Sequence, residues 1–340
     1  MFERSVVIGY GSIGQRHVNY LSQISSQIII IDPKPISNSK LAEIGKSFEY
    51  VGYLPSLDSL NFKLTAKDVV VVANWGPDHF KTVIGLCALG VKNIVLEKPC
   101  ADSLYEVEEL HYIAAKNQIK IAVNQGSFYD DLGKKLNDIS RELDIGEIQA
   151  IWINGGARCL STSGSHWVSL ASEIFGDNPI SISGDGFNDY INPRSENLSY
   201  IEGVFSFTYS KRRRLGICLT NKSSITGSFE IYWANSLGVL DQGNLVIHSN
   251  ENFTPELITK HKPASKLIFS KSIINPENRF INLYHSFENF SESQFLANLR
   301  VHLNSNKSIL LALVSSETGK KVFFNQPVED EFIKKKFRIS

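Results

Sequence analysis

The run Val6-Val7-Ile8-Gly9-Tyr10-Gly11-Ser12-Ile13-Gly14 constrains this chain more than any other feature, because a G-x-G-x-x-G turn there joins an apolar segment to a helical pattern. A strand-to-helix turn this tight gives each glycine a task. Gly9 permits the turn, Gly11 lets a pyrophosphate approach the backbone, and Gly14 lets the helix pack closely on the strand. The helix that follows offers unpaired N–H groups and the positive end of its dipole to phosphate. Gly9, Tyr10, Gly11, Ser12, Ile13 and Gly14 are therefore expected to line a dinucleotide. Asp32, 23 residues beyond Gly9 and at the end of the next apolar run, supplies a carboxylate for the adenosine ribose hydroxyls. A carboxylate there repels a 2′-phosphate and favours NAD. Lys34, two residues on, would neutralise such a phosphate, so NADP stays as the alternative.

The first third of the chain alternates short β-branched runs with amphipathic stretches, the pattern of a parallel sheet covered by helices. Strands are expected at 5–8, 27–31, 69–73, 93–96 and 120–123, and helices at 14–22, 79–89 and 103–117. Beyond Val123 the period changes. Helices at 129–143 and from about Ser165 to Gly176, a strand at 148–154, and alternating runs at 203–209, 214–220, 228–233 and 244–247 indicate a sheet with one solvated face. Late helices at 292–304 and 308–318 lead to a short strand at 320–324, and 250–282 reads as irregular. The expectation is an α/β chain in two domains. Residues 1–123 form a doubly wound Rossmann domain, and residues 124–340 form an α+β domain with a large, mainly antiparallel sheet for substrate binding and oligomerisation.

The segment Glu97-Lys98-Pro99 places a lysine at the carboxyl end of a buried parallel strand, where open α/β sheets gather their ligands. Partial burial disfavours the charged form of a lysine and moves it toward proton transfer. Pro99 holds Lys98 extended, and a cis Lys98–Pro99 bond would be a further way to aim it.

With these motifs on the page, the chain resembles the Gfo/Idh/MocA family of NAD(P)-dependent oxidoreductases over nearly its full length. The resemblance rests on Gly9 to His17, on Asn74-Trp75-Gly76-Pro77-Asp78-His79 after the 69–73 strand, on Glu97-Lys98-Pro99, on Gly164-Ser165-His166, and on Ser315 to Val322. It implies that Lys98 lies beside the nicotinamide and the substrate carbinol in an acid/base role. It implies too that His166, opening the second-domain helix, shares the proton transfer, and that Asn74, Trp75, His79 and Glu97 line the nicotinamide side; a helix cap for Asn74, a satisfied backbone carbonyl for His79 and packing for Trp75 are the alternatives.

The chain also departs from the family pattern. Thr162 stands four residues before His166 where many sugar-oxidising members have aspartate, and Ser169 stands where another aspartate is frequent. A threonine hydrogen-bonds a substrate but supplies no carboxylate base. The arginine frequent after the fifth strand is replaced within Asn124-Gln125-Gly126-Ser127-Phe128. Arg158, in the loop before the second-domain helix, reads equally as a clamp for a substrate carboxylate or phosphate and as a surface arginine. Lys98, Arg158, Thr162 and His166 are the expected substrate contacts. The run Lys211-Arg212-Arg213-Arg214 reads as a solvated hairpin end, with attraction of a nucleotide diphosphate as its alternative.

Thirty-five basic and 35 acidic residues cancel, which gives no overall field to recruit nucleic acid or an anionic membrane. No apolar run approaches the roughly 18 residues of a membrane span, and no signal-like leader precedes the first strand, so a cytoplasmic protein is expected. Cys87, Cys100, Cys159 and Cys218 are too scattered for a metal or disulfide framework, and no metal is expected. The expected activity is hydride exchange between nicotinamide and a secondary alcohol or ketone carbon of a sugar-like small molecule, a nucleotide-linked sugar included. Redox-assisted elimination and an NAD-binding sensor without catalysis are the alternatives. A homodimer or homotetramer through the second-domain sheet is expected, with Phe205, Phe207, Tyr209, Phe229, Tyr232 and Trp233 as candidate aromatic positions, of which the core claims at least half.

Overall fold

The computed structural model describes residues 2–156, 158–188, 191–250 and 266–339. They divide into two compact units: Met1–Gln125 with Phe280–Leu303 and Lys334–Ser340, and Gly126–Arg279 with Asn304–Ile333. A single border at residue 123 does not capture this, because two later segments return to the first unit.

In chain order the first unit begins β1 (Phe2–Ile8), α1 (Ser12–Leu21), β2 (Ser25–Ile31), α2 (Asn38–Ile44), β3 (Tyr50–Leu54), β4 (Asp68–Val72), α3 (His79–Ala88), β5 (Asn93–Leu96), α4 (Leu104–Lys116) and β6 (Lys120–Val123). All six strands are parallel, in the order β3-β2-β1-β4-β5-β6, with Val6 flanked by Ile29 and Val70. Uninterrupted β-branched runs such as Val69–Val72 are buried from end to end, as a sheet covered on both faces requires. The order reverses between β1 and β4, so the carboxyl ends of β1, β4 and β5 carry the ligand-binding end of the sheet.

The second unit and the returning segments comprise α5 (Gly126–Tyr129), α6 (Leu132–Glu142), β7 (Ala150–Gly155), α7 (Leu160–Phe175), β8 (Ser181–Phe187), β9 (Glu202–Thr208), β10 (Arg214–Leu219), β11 (Phe229–Tyr232), β12 (Ser236–Asp241), β13 (Asn244–Ser249), β14 (Lys266–Ser272), α8 (Pro276–Asn289), α9 (Glu292–Thr318), β15 (Val322–Phe323) and α10 (Asp330–Ile333). Nine strands form one sheet in the order β14-β13-β12-β11-β7-β10-β9-β8-β15. Its pairings are antiparallel except β7 with β10. Alternation sorts the faces: Ile151, Ile153, Phe205, Phe207, Leu215 and Ile217 are buried, while Trp152, Asn154, Val204 and Cys218 face outward. Four of the six candidate aromatics belong to the core, namely Phe205, Phe207, Tyr209 and Trp233, in keeping with the expected core share of at least half, whereas Phe229 and Tyr232 are half-buried.

Several boundaries differ from the sequence reading for physical reasons. The helix expected over 129–143 is broken by Asp131, whose φ is +52°, into α5 and α6. The two late helices are one, α9, because Ser305, Asn306 and Ser308 sit inside it as buried polar residues rather than as a break. Of the stretch expected to be irregular, 251–265 lies outside the described residues, and the rest holds β14 and the start of α8. The basic run is not wholly solvated. Arg213 is buried, donates to the Phe175 carbonyl at 2.6 Å and lies over the Phe175 ring, while Lys211 pairs with Glu147 at 3.0 Å.

Candidate functional site

At the turn after β1, Gly9 has a φ of +92°, and a Cβ there would lie 2.5 Å from the Ala73 carbonyl oxygen. A Cβ on Gly14 would lie 2.0 Å from the Gly9 carbonyl oxygen, so α1 touches the turn with no room for a side chain. Gly11 differs: a Cβ there meets nothing within 4 Å. That clearance stands at the N-cap of α1, which has no side-chain cap and no acidic residue in its first turn. Exposed N–H groups, a helix dipole and open space fit a pyrophosphate. Ser12 is exposed and Ile13 half-buried on the same turn.

Asp32 is joined to this turn. Its Oδ2 accepts the Tyr10 N–H at 2.7 Å and its Oδ1 accepts the Lys34 N–H at 2.8 Å, while its carbonyl takes the Tyr53 hydroxyl. A carboxylate oxygen has room for a second donor, so both stay able to accept ribose hydroxyls. The residues present fit NAD.

The ends of β4 and β5 are tied by His79. Its Nδ1 lies 2.7 Å from the Pro99 carbonyl oxygen and its Nε2 3.2 Å from the Asn74 carbonyl oxygen. Burial pushes its pKa down against both carbonyl contacts and Glu97, which favours a neutral ring that donates one N–H. His79 is thus a buried clasp between two strand ends rather than an open wall. The Asn74 amide nitrogen donates to Thr82, its Oδ1 has no hydrogen-bond partner among the described residues, and Trp75 stays exposed beside it.

Lys98 is half-buried and its peptide bond to Pro99 is cis. Glu97 beside it points into the protein interior. Its Oε1 accepts from His17 Nε2 at 2.9 Å and from the Asn124 amide, and His17 Nδ1 lies 2.7 Å from the Tyr284 hydroxyl. Burial pushes the Glu97 pKa up, but the His17 and Asn124 hydrogen bonds and the charges of His17 and Lys98 hold it down at about 2. His17 belongs to the glycine motif, but no local pattern shows its bond to Glu97, and the contacts of Asn124 and Tyr284 in this cluster have no sequence signal either. Cys100, buried beside them, has its thiol pKa raised to about 12 by burial and by Glu97, which leaves it unreactive.

In the second unit α7 begins at Leu160, so His166 lies nearly two turns inside the helix rather than opening it. Most of α7 is buried, while Thr162, Ser163 and His166 are half-exposed. Thr162 and His166, four apart, share one face. The Cys159 sulfur lies 2.7 Å from the Thr162 hydroxyl and 3.2 Å from that of Ser161. Ser127 in α5 donates to the His166 carbonyl at 3.5 Å. Arg158 is half-buried just before α7. Arg279 of α8 fills the space that Gly126 leaves free, its guanidinium 2.9 Å from where a Cβ would be. Among the described residues no group of three or more His, Cys, Asp or Glu comes together as a metal site, and no helix is long and apolar enough to cross a membrane.

Comparison with known proteins agrees with this geometry. Residues 4–125 match the model of the Gfo/Idh/MocA oxidoreductase family, NAD-binding Rossmann fold. No curated protein matches in sequence. Among solved structures, an oxidoreductase from Agrobacterium radiobacter in complex with NAD+, L-tartaric acid and magnesium is 14% identical with a TM-score of 0.68, over 95% of this chain and 99% of that one. UDP-N-acetylglucosamine 3-dehydrogenase from Acidithiobacillus ferrooxidans is 15% identical with a TM-score of 0.62, over 94% and 99%. The super-repressor mutant of Gal80p from Saccharomyces cerevisiae is 16% identical with a TM-score of 0.68, over 96% and 99%. Identities this low carry the fold and not the substrate. The stretch that carries the dinucleotide turn and the strand end at Lys98 is thus the part of this chain that is similar to the NAD-binding Rossmann domain of the Gfo/Idh/MocA oxidoreductase family.

Proposed function

We propose that the protein is an NAD-dependent oxidoreductase acting on a secondary alcohol or the matching ketone of a sugar or sugar derivative. The observation that carries the reading is that one parallel sheet presents an open glycine turn with its acid, Asp32, on one strand pair and a lysine, Lys98, at the end of β5. NAD, when bound, accepts or returns a hydride. The protein's own part is the proton. In the oxidising direction Lys98, with His166 sharing the task, takes the hydroxyl proton as the carbinol carbon gives up its hydride. In reduction the same groups return it. Gly11 and the α1 terminus hold the pyrophosphate, and Asp32 holds the ribose and disfavours a 2′-phosphate, with NADP as the alternative. Arg158 and Thr162 are assigned to substrate binding.

A second reading, an NAD-binding regulator without turnover, is favoured by Thr162, which offers no carboxylate, and by the likeness to Gal80p. Mixing the protein with NAD+ and a panel of polyols, sugars, sugar acids and nucleotide sugars, and following the nicotinamide absorbance, separates the two. Turnover supports the enzyme, and thermal stabilisation by NADH with no turnover on any of them supports the regulator. The outward face of the nine-stranded sheet, with Trp152 and Val204 exposed, is assigned to a homodimer or homotetramer in a cytoplasmic protein.

A further inference from the structure

The role first expected of Glu97, lining the cofactor, leaves unexplained why this carboxylate points inward. Successive residues leaving a strand point to opposite sides. Glu97 still lies on the ladder of the parallel sheet, its N–H donating to the Val72 carbonyl at 3.0 Å, and Asn124 on the next strand end donates to the Leu96 carbonyl at 2.9 Å. The ladder therefore fixes both backbones before their side chains meet. His17 comes from the buried stripe of α1, and Tyr284 from the part of α8 that returns to this unit, where it stacks on Tyr20 with ring centroids 5.2 Å apart.

We propose that Glu97, held by His17 and Asn124 with Tyr284 behind the histidine, is a fixed buried anion that stabilises the ammonium of the neighbouring Lys98 as the proton is transferred. This rests on the reading of Lys98 as the proton-handling group.

A buried carboxylate with no partner costs several kcal/mol, which makes such a group rare unless its donors are built in. Here the donors are built in. An ionised carboxylate only accepts, so the Nε2 of His17 carries the hydrogen shared with Glu97. The Tyr284 phenol, its pKa raised well above the ordinary value by burial and by the Glu97 and Tyr20 charges, keeps its O–H and lies 2.7 Å from Nδ1. The tyrosine thereby fixes the ring that holds the carboxylate from its other side. The titratable groups around Glu97 are His17 from α1, His79 from α3, Tyr284 from α8 with Tyr20 stacked behind it, and Lys98 and Cys100 on its own segment. Of these, Lys98 is the cation half-open to the outside, so it is the group on which the fixed anion acts. Coulombic attraction is mutual: the lysine that favours the Glu97 carboxylate is itself favoured as an ammonium by it.

The test needs no substrate. Lys98 is acetylated with trace acetic anhydride across a pH series in the full-length protein, and the extent is read by mass spectrometry of its peptide, with exposed lysines as internal standards. Glu97→Gln, which keeps the shape and removes the charge, is expected to lower the midpoint of Lys98 labelling by about one pH unit or more. A folded Glu97→Gln protein with the wild-type midpoint overturns the proposal. His17→Asn, which frees the carboxylate to turn, is the second variant should the first not fold. The midpoint is expected to move again, and a wild-type value overturns the proposal. A Lys98→Ala protein that still transfers hydride at the wild-type rate would instead remove the proton-handling reading, and the labelling shift would stand without it.

Discussion

The Asp32 carboxylate is bound to the glycine turn itself: its Oδ2 accepts the Tyr10 backbone N–H at 2.7 Å. The acid proposed to read the ribose and the loop proposed to cradle the phosphates are therefore joined by a direct hydrogen bond. Asp32→Asn is expected to weaken NADH binding about tenfold, or ~1.4 kcal/mol, while NADPH binding is unchanged or improved. Fluorescence titration with both nucleotides checks this, and equal losses for the two would contradict it.

The three glycines of the turn separate binding from folding. Gly11→Ala enters open space at a φ of −73°, so stability should hold within about 0.5 kcal/mol while NADH affinity falls tenfold or more. Gly14→Ala places a methyl 2.0 Å from the Gly9 carbonyl oxygen and should cost about 2 kcal/mol or more. Denaturant melts of the two variants, each paired with an NADH titration, give the comparison.

Glu173 of α7 accepts backbone hydrogen bonds from Gly133 and Lys134, yet burial and the Asp131 charge raise its pKa from 4.5 to about 7. The folded state thus binds the proton more tightly than the unfolded chain. Its contribution to stability is complete below pH 4.5 and is lost as the pH rises through about 7. The stability difference between wild type and Glu173→Gln should change by at most about 3 kcal/mol between pH 4.5 and pH 8, the wild type losing ground. Urea melts at several pH values measure it, and a flat difference would exclude Glu173 as a source of pH dependence.

The outward face of the second-unit sheet carries Trp152, which lies over Gly216 on the neighbouring strand and is 37% exposed. Trp152→Glu adds a charge where a self-association face would be desolvated, so it should shift a dimer or tetramer toward monomer while the fold persists. Light scattering after gel filtration, with circular dichroism on the same sample, decides this. A monomeric wild type would remove the assembly reading.

What the sequence disclosed and what it hid follow from range. The turn at Gly9 to Gly14, the acid at Asp32 and the lysine ending β5 are local patterns, and each is set by its own strand and the residues next to it. The Tyr284–His17 bond joins residues 267 apart, so no window along the chain contains it. β8 was hidden because Gly184 and Gly186 interrupt its alternation. Space explains the first: a Cβ on Gly184 would lie 2.7 Å from the Ala312 carbonyl oxygen of α9. Both glycine N–H groups are held by Ser315 and Ser316. The start of α7 was missed because Ser161-Thr162-Ser163 resembles a loop, whereas Cys159 and Ser161 are engaged in the helix's first turn and Ser161 donates to the Ser199 carbonyl at 2.8 Å. Arg279 lay in a stretch without period, and its place over Gly126 depends on a side chain that Gly126 lacks.

The central claim is that Lys98 handles the proton in a hydride exchange with bound NAD, and the direct test is the change in nicotinamide absorbance with Lys98→Ala beside the wild type. With whichever alcohol or ketone the wild type turns over, Lys98→Ala should be slower by about 10² or more while NADH affinity stays within about threefold. A variant as fast as the wild type, or a wild type that binds NADH and turns over none of the panel, contradicts it.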